Sequence, residues 1–447
     1  MKIFLISLSI LILTSASVVV HAATVGPNIE IAGEAFPDRQ RVEPSIAVDP
    51  KNPSIIVSVA QDLRLLQFGG HRWHGVYRST DGGVTWSSNL LPGFPGDTSP
   101  QGLSSPLHGF RATSDPVVAF DRAGNAYVAG ITTNLGLFVA KYVNDGADYS
   151  FAILICSFGC ADKPWIAVDN SGGVNNDNVY ISFDGPHGIE FVRSTDGGQT
   201  FSSSITAIRN DGLSGVTVDP EGRVIVSGVF LSTLPQREPI EIAVSLDGGR
   251  TFDGHEIAAN IVPLPRSLPG NEFRTATNPQ ITSDSSGAYI VWDDFTFGNS
   301  NVLFAKSTDG GITWTTPIRV NDVLTGQHFF STIAVSGGVI SVAWYDSRLG
   351  QLSNGTITGL DVFYASSTNG GNSFSTNVRI TSVSFNPNTV ERTDFGDTEI
   401  FMGDYIQVAA SSASAHIIWT DNRNACDTVD PTFGCIDQDV FTATITY

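Results

Sequence analysis

Apolar positions along the chain recur in short runs, not at helical spacing. Ser45-Ile46-Ala47-Val48-Asp49 leads through a turn into Ile55-Ile56-Val57-Ser58-Val59-Ala60. Short runs rich in Val, Ile, Thr and Phe, bounded by Gly, Asp, Asn and Pro, read as strands. Matching strand pairs begin near Pro116, Pro164, Gly215, Pro279, Thr332 and Tyr405, which makes seven pairs. No sustained helical periodicity occurs outside the N-terminus. The pattern predicts an all-β chain.

A second pattern follows most of these pairs. Ser79-Thr80-Asp81-Gly82-Gly83-Val84-Thr85-Trp86 has near-copies at Ser194–Phe201, Ser245–Phe252, Ser307–Trp314 and Ser367–Phe374. The form is S-x-D-G-G-x-T-W/F, with Asn369 and Ser373 replacing Asp and Thr in the last copy. Gly-Gly permits positive φ, and the aspartate accepts hydrogen bonds from amides ahead of it, so the motif is a hairpin turn. Asn144-Asp145-Gly146 reads as an eroded copy in the second module, and the seventh module has none. Modules of roughly 50–60 residues with four short strands are propeller blades. The last module lacks a fourth strand. Pro27-Asn28-Ile29-Glu30-Ile31 resembles the fourth strands elsewhere and is expected to complete it, leaving no bare edge.

Composition narrows the setting. The formal net charge is −20 and no basic run is present, which excludes a nucleic-acid partner. Met1–Ala22 reads as a secretory signal peptide ending in Val20-His21-Ala22, with an uncleaved anchor as the alternative. Residues 23–447 then form one secreted domain, a monomer because ring closure uses the strand edges. Cys156 with Cys160 and Cys426 with Cys435 are the simplest disulfide pairs.

The repeats resemble the Asp-box, or BNR, repeats of the sialidase superfamily over nearly all of the mature chain. The resemblance implies a β-propeller in which Asp81, Asp196, Asp247, Asp309 and Asn369 are structural and face away from the functional mouth. The count favours seven blades, with a six-bladed sialidase-type ring as the alternative.

Blade topology places the second-to-third-strand loops and the links between blades on the mouth face. Asp62, Asp184, Asp294, Asp346 and Asp421 follow second strands, with Arg64, Arg348 and Arg423 two residues after three of them. Glu43, Asp115, Asp162 and Asp404 precede first strands. Together they predict a ring of carboxylates and arginines, joined by Trp73, Trp292, Trp344, Tyr345, Tyr405 and Trp419. In a sugar site, rings stack on sugars, arginines grip acidic groups and paired carboxylates exchange protons. Alternatively, Asp-x-Arg belongs to the repeat itself, capping strands. Compared with sialidases, Arg41-Val42-Glu43-Pro44-Ser45 resembles the segment before the first inner strand. The resemblance then implies Asp62 as acid, Tyr405 as nucleophile with Glu399 or Glu391 as helper, and Arg41, Arg274, Arg348 and Arg392 as substrate arginines. Arg64, Asp346, Asp404, Asp421 and Arg423 complete the substrate-binding set.

No metal site is assigned. Asp169-Asn170 and Asn175-Asn176-Asp177-Asn178 offer oxygen ligands of the kind Ca²⁺ takes, or simply form a polar turn. His71, His74, His108 and His187 fall in mouth-face loops, as do the long links Asn89–Thr113, His255–Thr277 and Val383–Met402. The expected activity is sialidase-like glycoside hydrolysis. A glycan- or protein-binding propeller is the alternative, and a polysaccharide lyase a lesser one.

Overall fold

A computed structural model describes residues 23–32, 40–66, 70–230, 237–352, 354–390, 400–425, 429–430, 434–435 and 437–447. The signal-peptide segment, Glu391, Arg392, Glu399 and Cys426 lie outside them, as does the side chain of Cys435. The strands assemble into seven antiparallel blades. Blade 1 runs from Arg41–Val48 to Ser87–Leu90, blade 2 from Thr113–Phe120 to Asp148–Leu154, and blade 3 from Asp162–Val168 to Ile205–Arg209. Blade 4 runs from Gly212–Val218 to Asp253–Ile261, blade 5 from Gln280–Asp284 to Ile318–Arg319, and blade 6 from His328–Ser336 to Val378–Arg379. Blade 7 contains Gln407–Ala410, Ser414–Asp421 and Asp439–Thr446. Each first strand packs against the first strand of the next blade, and that of blade 7 packs against that of blade 1, so first strands line the centre of a closed ring. His255 lies within the last strand of blade 4, so the following link is shorter than expected.

Closure follows the sequence expectation. Thr24 pairs with Thr446 and Val25 with Ile445, while Ile29 and Glu30 pair with Thr442 and Phe441. Because the N-terminal segment supplies this outer strand, blade 7 has no third-to-fourth-strand turn in which a repeat motif could sit.

In the five complete motifs, the turn is held by one set of bonds. In blade 1 the Asp81 carboxylate accepts from the Val84 and Thr85 amides and from Thr85 Oγ1, at 3.1, 2.9 and 2.6 Å. Ser79 Oγ accepts from the Gly83 amide at 2.9 Å. Asn369 keeps the geometry by donating from Nδ2 to Ser373 Oγ at 2.8 Å. The second glycine of each turn lies against the preceding blade. A Cβ on Gly249 (φ +75°) would stand 2.5 Å from Phe191 of blade 3. The aromatic that ends the motif packs there too, Phe252 edge-on to Phe191 at 4.9 Å. In blade 2, Asn144-Asp145-Gly146 occupies the same turn with all three residues at positive φ.

The core lies between blades. Tyr127 of blade 2, Ile181 of blade 3 and Val226 of blade 4 share one apolar cluster. Trp73, Trp292, Trp344, Tyr345 and Trp419 are fully buried in this packing. Burying each ring contributes roughly 2–3 kcal/mol. They therefore stabilise blades and offer no face to a sugar, which corrects the expectation that they ring the mouth. Cys156 and Cys160 form a disulfide beyond the last strand of blade 2. No helix among the described residues is long and apolar enough to cross a membrane.

Candidate functional site

The first strands of blades 1, 2 and 3 each carry a bulge at the same place. The bulged residues Glu43, Asp115 and Lys163 have φ of 55°, 55° and 45° and are each followed by proline. Proline donates no ladder bond, so a bulge tolerates it. A non-glycine residue at positive φ is strained by about 1–3 kcal/mol and persists only where its surroundings fix it. Here the bulges turn three ionisable side chains toward the channel, where Asp404 meets them from the approach to blade 7. Gly403 (φ +81°) lets that approach come close: a Cβ there would stand 2.9 Å from the Glu43 amide nitrogen.

Asp404 is the electrostatic centre. Arg274, from the link between blades 4 and 5, donates to both carboxylate oxygens at 2.7 and 2.5 Å. Lys163 Nζ reaches the same carboxylate across the channel. Burial opposes ionisation most strongly, but Lys163 and Arg274 together hold Asp404 well below the usual carboxylate range. Lys163 is held charged: burial works against it, and Asp404, Asp115 and Glu43 outweigh that. Arg274 also lies 4.6 Å over the Phe401 ring.

Three neighbouring carboxyls behave differently. Glu43 is buried, and loss of water, then the Asp115 charge, push it well above its ordinary value. Gln61 Nε2 donates to Glu43 Oε2, while Oε1 has no hydrogen-bond partner among the described residues. Asp162 and Asp115 share a hydrogen bond. Loss of water, then Asp115, push Asp162 up to about 7. Asp162 is nevertheless exposed at the mouth, so the adjoining charge is the firmer cause of its shift. Asp115 moves the other way: burial alone would raise it, but Lys163 and the bond from Asp162 lower it. Within the pair, Asp162 is therefore the carboxyl that holds a proton more tightly and Asp115 the one that gives it up. Asp184, the cross-strand partner of Asp162, is raised to about 6, chiefly by burial, although the Leu213 and Ser214 amides donate to it. A cavity of about 160 Å³ adjoins the cluster, bordered by Lys163, Arg266, Arg274, Asn278 and Asp404.

The nominated residues divide between this cluster and elsewhere. Arg274, Asp404 and Tyr405 join it. Tyr405 is buried against Trp165, with ring centroids 5.6 Å apart, and donates to the Pro116 carbonyl at 3.1 Å. Burial, then Glu43 and Asp115, push its phenol well above the ordinary value. Asp62 is sealed from solvent. It accepts from the Arg64 amide and Nε at 2.8 and 2.9 Å and from Tyr77 OH at 2.7 Å, with Arg41 Nε 3.3 Å away. Burial opposes its ionisation, but Arg41 and Arg64 hold it at about 2. Arg41 also pairs with Asp439. Asp346 with Arg348 and Asp421 with Arg423 repeat the arrangement, each guanidinium 4.2 Å over a phenylalanine of its own blade.

Sequence reasoning did not nominate Lys163, and placed Asp115 and Asp162 in the ring without a role. The three residue-plus-proline steps at the starts of first strands were the available signal. His74 is buried and lowered to about 4 by that burial, and its Nδ1 lies 2.8 Å from Thr113 Oγ1. Asp169 Oδ1 accepts from the Ser171 amide and hydroxyl, closing a polar turn. Among the described residues no group of His, Cys, Asp and Glu is arranged to hold a metal ion.

No family model and no curated protein sequence matches the chain. Solved structures do. An ulvan lyase of polysaccharide lyase family PL25, bound to -[GlcA(1-4)Rha3S]-, has a TM-score of 0.52 at 10% identity, covering 93% of this chain and 95% of that one. A protein of unknown function from Dyadobacter fermentans DSM 18053 has a TM-score of 0.49 at 14% identity, over 95% and 99%. A leech intramolecular trans-sialidase has a TM-score of 0.48 at 13% identity, over 72% and 67%. At such identities the likeness is one of fold: the chain is a seven-bladed β-propeller.

Proposed function

We propose that the chain is a glycan-active propeller that hydrolyses glycosidic bonds at its central mouth, with Asp162 as proton donor. The observation that carries this reading is the Asp162–Asp115 pair, two hydrogen-bonded carboxyls whose surroundings shift them in opposite directions, with the raised one open to solvent. A pair so divided supplies an acid and an anion at one point. Asp162 would protonate the departing glycosidic oxygen. Asp115 and Asp404, held ionised, would face the positive charge that develops on the sugar ring. Asp184 is the candidate base for the incoming water. In this reading Asp62 and Tyr405 position the mouth and do not react.

An exo-sialidase needs guanidinium groups for its substrate's carboxylate. Arg41, Arg64, Arg348 and Arg423 are each engaged by a buried aspartate, and Arg274 by Asp404. Arg266 also borders the cavity beside Asp404, so the substrate panel includes acidic as well as neutral glycosides.

The test is hydrolysis of a panel of neutral, uronic and sialic glycosides by the purified chain, with ultraviolet absorbance following any unsaturated lyase product. Asp162→Asn is expected to cut kcat/KM by about 10²–10⁴-fold while leaving the thermal midpoint in place. Activity should fall as pH rises through about 7, where Asp162 loses its proton, and again in acid, where Asp115 gains one. Full activity of Asp162→Asn would refute the assignment. Silence across the panel would favour the binding propeller, and an unsaturated product the lyase.

A further inference from the structure

Blade 5 departs from an arrangement that blades 6 and 7 share. In blade 6, Trp344 Nε1 donates to Asp346 Oδ2 at 2.9 Å, and Arg348, two residues on, bonds the same oxygen and covers Phe363. Blade 7 repeats this with Trp419, Asp421, Arg423 and Phe441. Blade 5 keeps the tryptophan and the aspartate, Trp292 and Asp294, but Thr296 stands where the arginine would be and Leu303 where the phenylalanine would be. Asp294 instead turns one oxygen to the Val262 amide at 3.3 Å, and the buried Trp292 Nε1 has no hydrogen-bond partner among the described residues.

The vacated seat is an open cleft of about 690 Å³, bordered by Asp294, Phe297, Asn299, Leu303 and Arg319. A recess of about 310 Å³ continues it to Trp292, Thr296 and Arg237. The combined space is of the size that takes a small ligand. Phe297 is 86% exposed, so its ring presents a free apolar face. Arg319 and Arg237 each use one N–H on a backbone carbonyl, of Asn321 and Asn260, and a guanidinium has five. In a chain of net charge −20, this cleft has two guanidiniums to one carboxylate.

We propose that this flank of blade 5 binds an acidic saccharide unit. Its ring would lie on Phe297, a hydroxyl would meet Asp294, and its anionic group would face Arg319 and Arg237. The cleft shares no lining residue with the cavity beside Asp404, so it stands or falls independently of the hydrolase reading.

The experiment is calorimetric titration of trigalacturonate into the full chain carrying Asp162→Asn, which removes turnover from the measurement. Saturable binding is expected, weakened about tenfold by Phe297→Ala and about tenfold for the neutral methyl ester of the same trisaccharide. Thr296→Arg is the decisive variant. Its guanidinium should seat on Asp294 as Arg348 seats on Asp346, keep or raise the thermal midpoint, and abolish binding at the cleft. Binding undiminished in folded Thr296→Arg and Phe297→Ala, equal affinity for the methyl ester, or no binding by the parent would overturn the proposal. So would preferential binding of agmatine, which would make the seat one for cations.

Discussion

Asp62 and Asp162 are carboxyls that their surroundings shift in opposite directions. Arg41, Arg64 and Tyr77 surround Asp62 in the absence of solvent, so it is held ionised down to about 2 and its role is cohesion. Removing one partner of a buried ion cluster leaves the others uncompensated, at a cost of about 3–5 kcal/mol. Asp62→Ala should therefore lower stability by that amount in urea unfolding. A loss below about 1 kcal/mol would mean that the cluster is not cohesive. Asp162 borders a second carboxylate and remains open to solvent, so it keeps its proton to about 7. The spacing Asp-x-Arg was legible in the sequence. Which aspartates it seals was not, because burial depends on the neighbouring strand and blade.

At the scale of elements, two irregularities carry much of the design. The repeated turn is local: its aspartate bonds amides three and four residues ahead, so its chemistry is contained in eight consecutive residues and could be read directly. Its glycines also meet the preceding blade, which no single motif reveals. Gly249→Ala should cost roughly 2 kcal/mol or more, since the new Cβ is strained at positive φ and meets Phe191. An unchanged thermal midpoint would show that the contact between blades 3 and 4 yields without cost. The bulges at Glu43, Asp115 and Lys163 are the other irregularity. Their residue-plus-proline steps are visible in the sequence, but positive φ and convergence on Asp404 arise only when strands from different blades meet.

Closure belongs to the whole molecule. The outer strand of blade 7 comes from residues more than 400 positions away in the chain, through pairings such as Thr24 with Thr446. Deleting residues 24–31 would expose the Asp439–Thr446 edge and loosen the contact between blades 7 and 1. The expected result is a thermal midpoint lower by roughly 10 °C and a greater tendency to associate through the bare edge. A variant that melts with the parent would show that the ring holds without its clasp.

The sequence by itself favoured seven blades over six and located the strand pairs, the repeated turns and the closing strand. Each of these is a local pattern of alternation and turn chemistry repeated along the chain, and repetition makes local signals additive. Only the tertiary structure decided that Trp292, Trp344 and Trp419 are core, that Asp62 is sealed, that Asp404 holds Lys163 and Arg274 across the channel, and that blade 5 leaves a seat open. Those outcomes depend on burial and on charges brought together from blades far apart in sequence. Electrostatic environment is a property of that assembled neighbourhood, and no stretch of chain carries it alone.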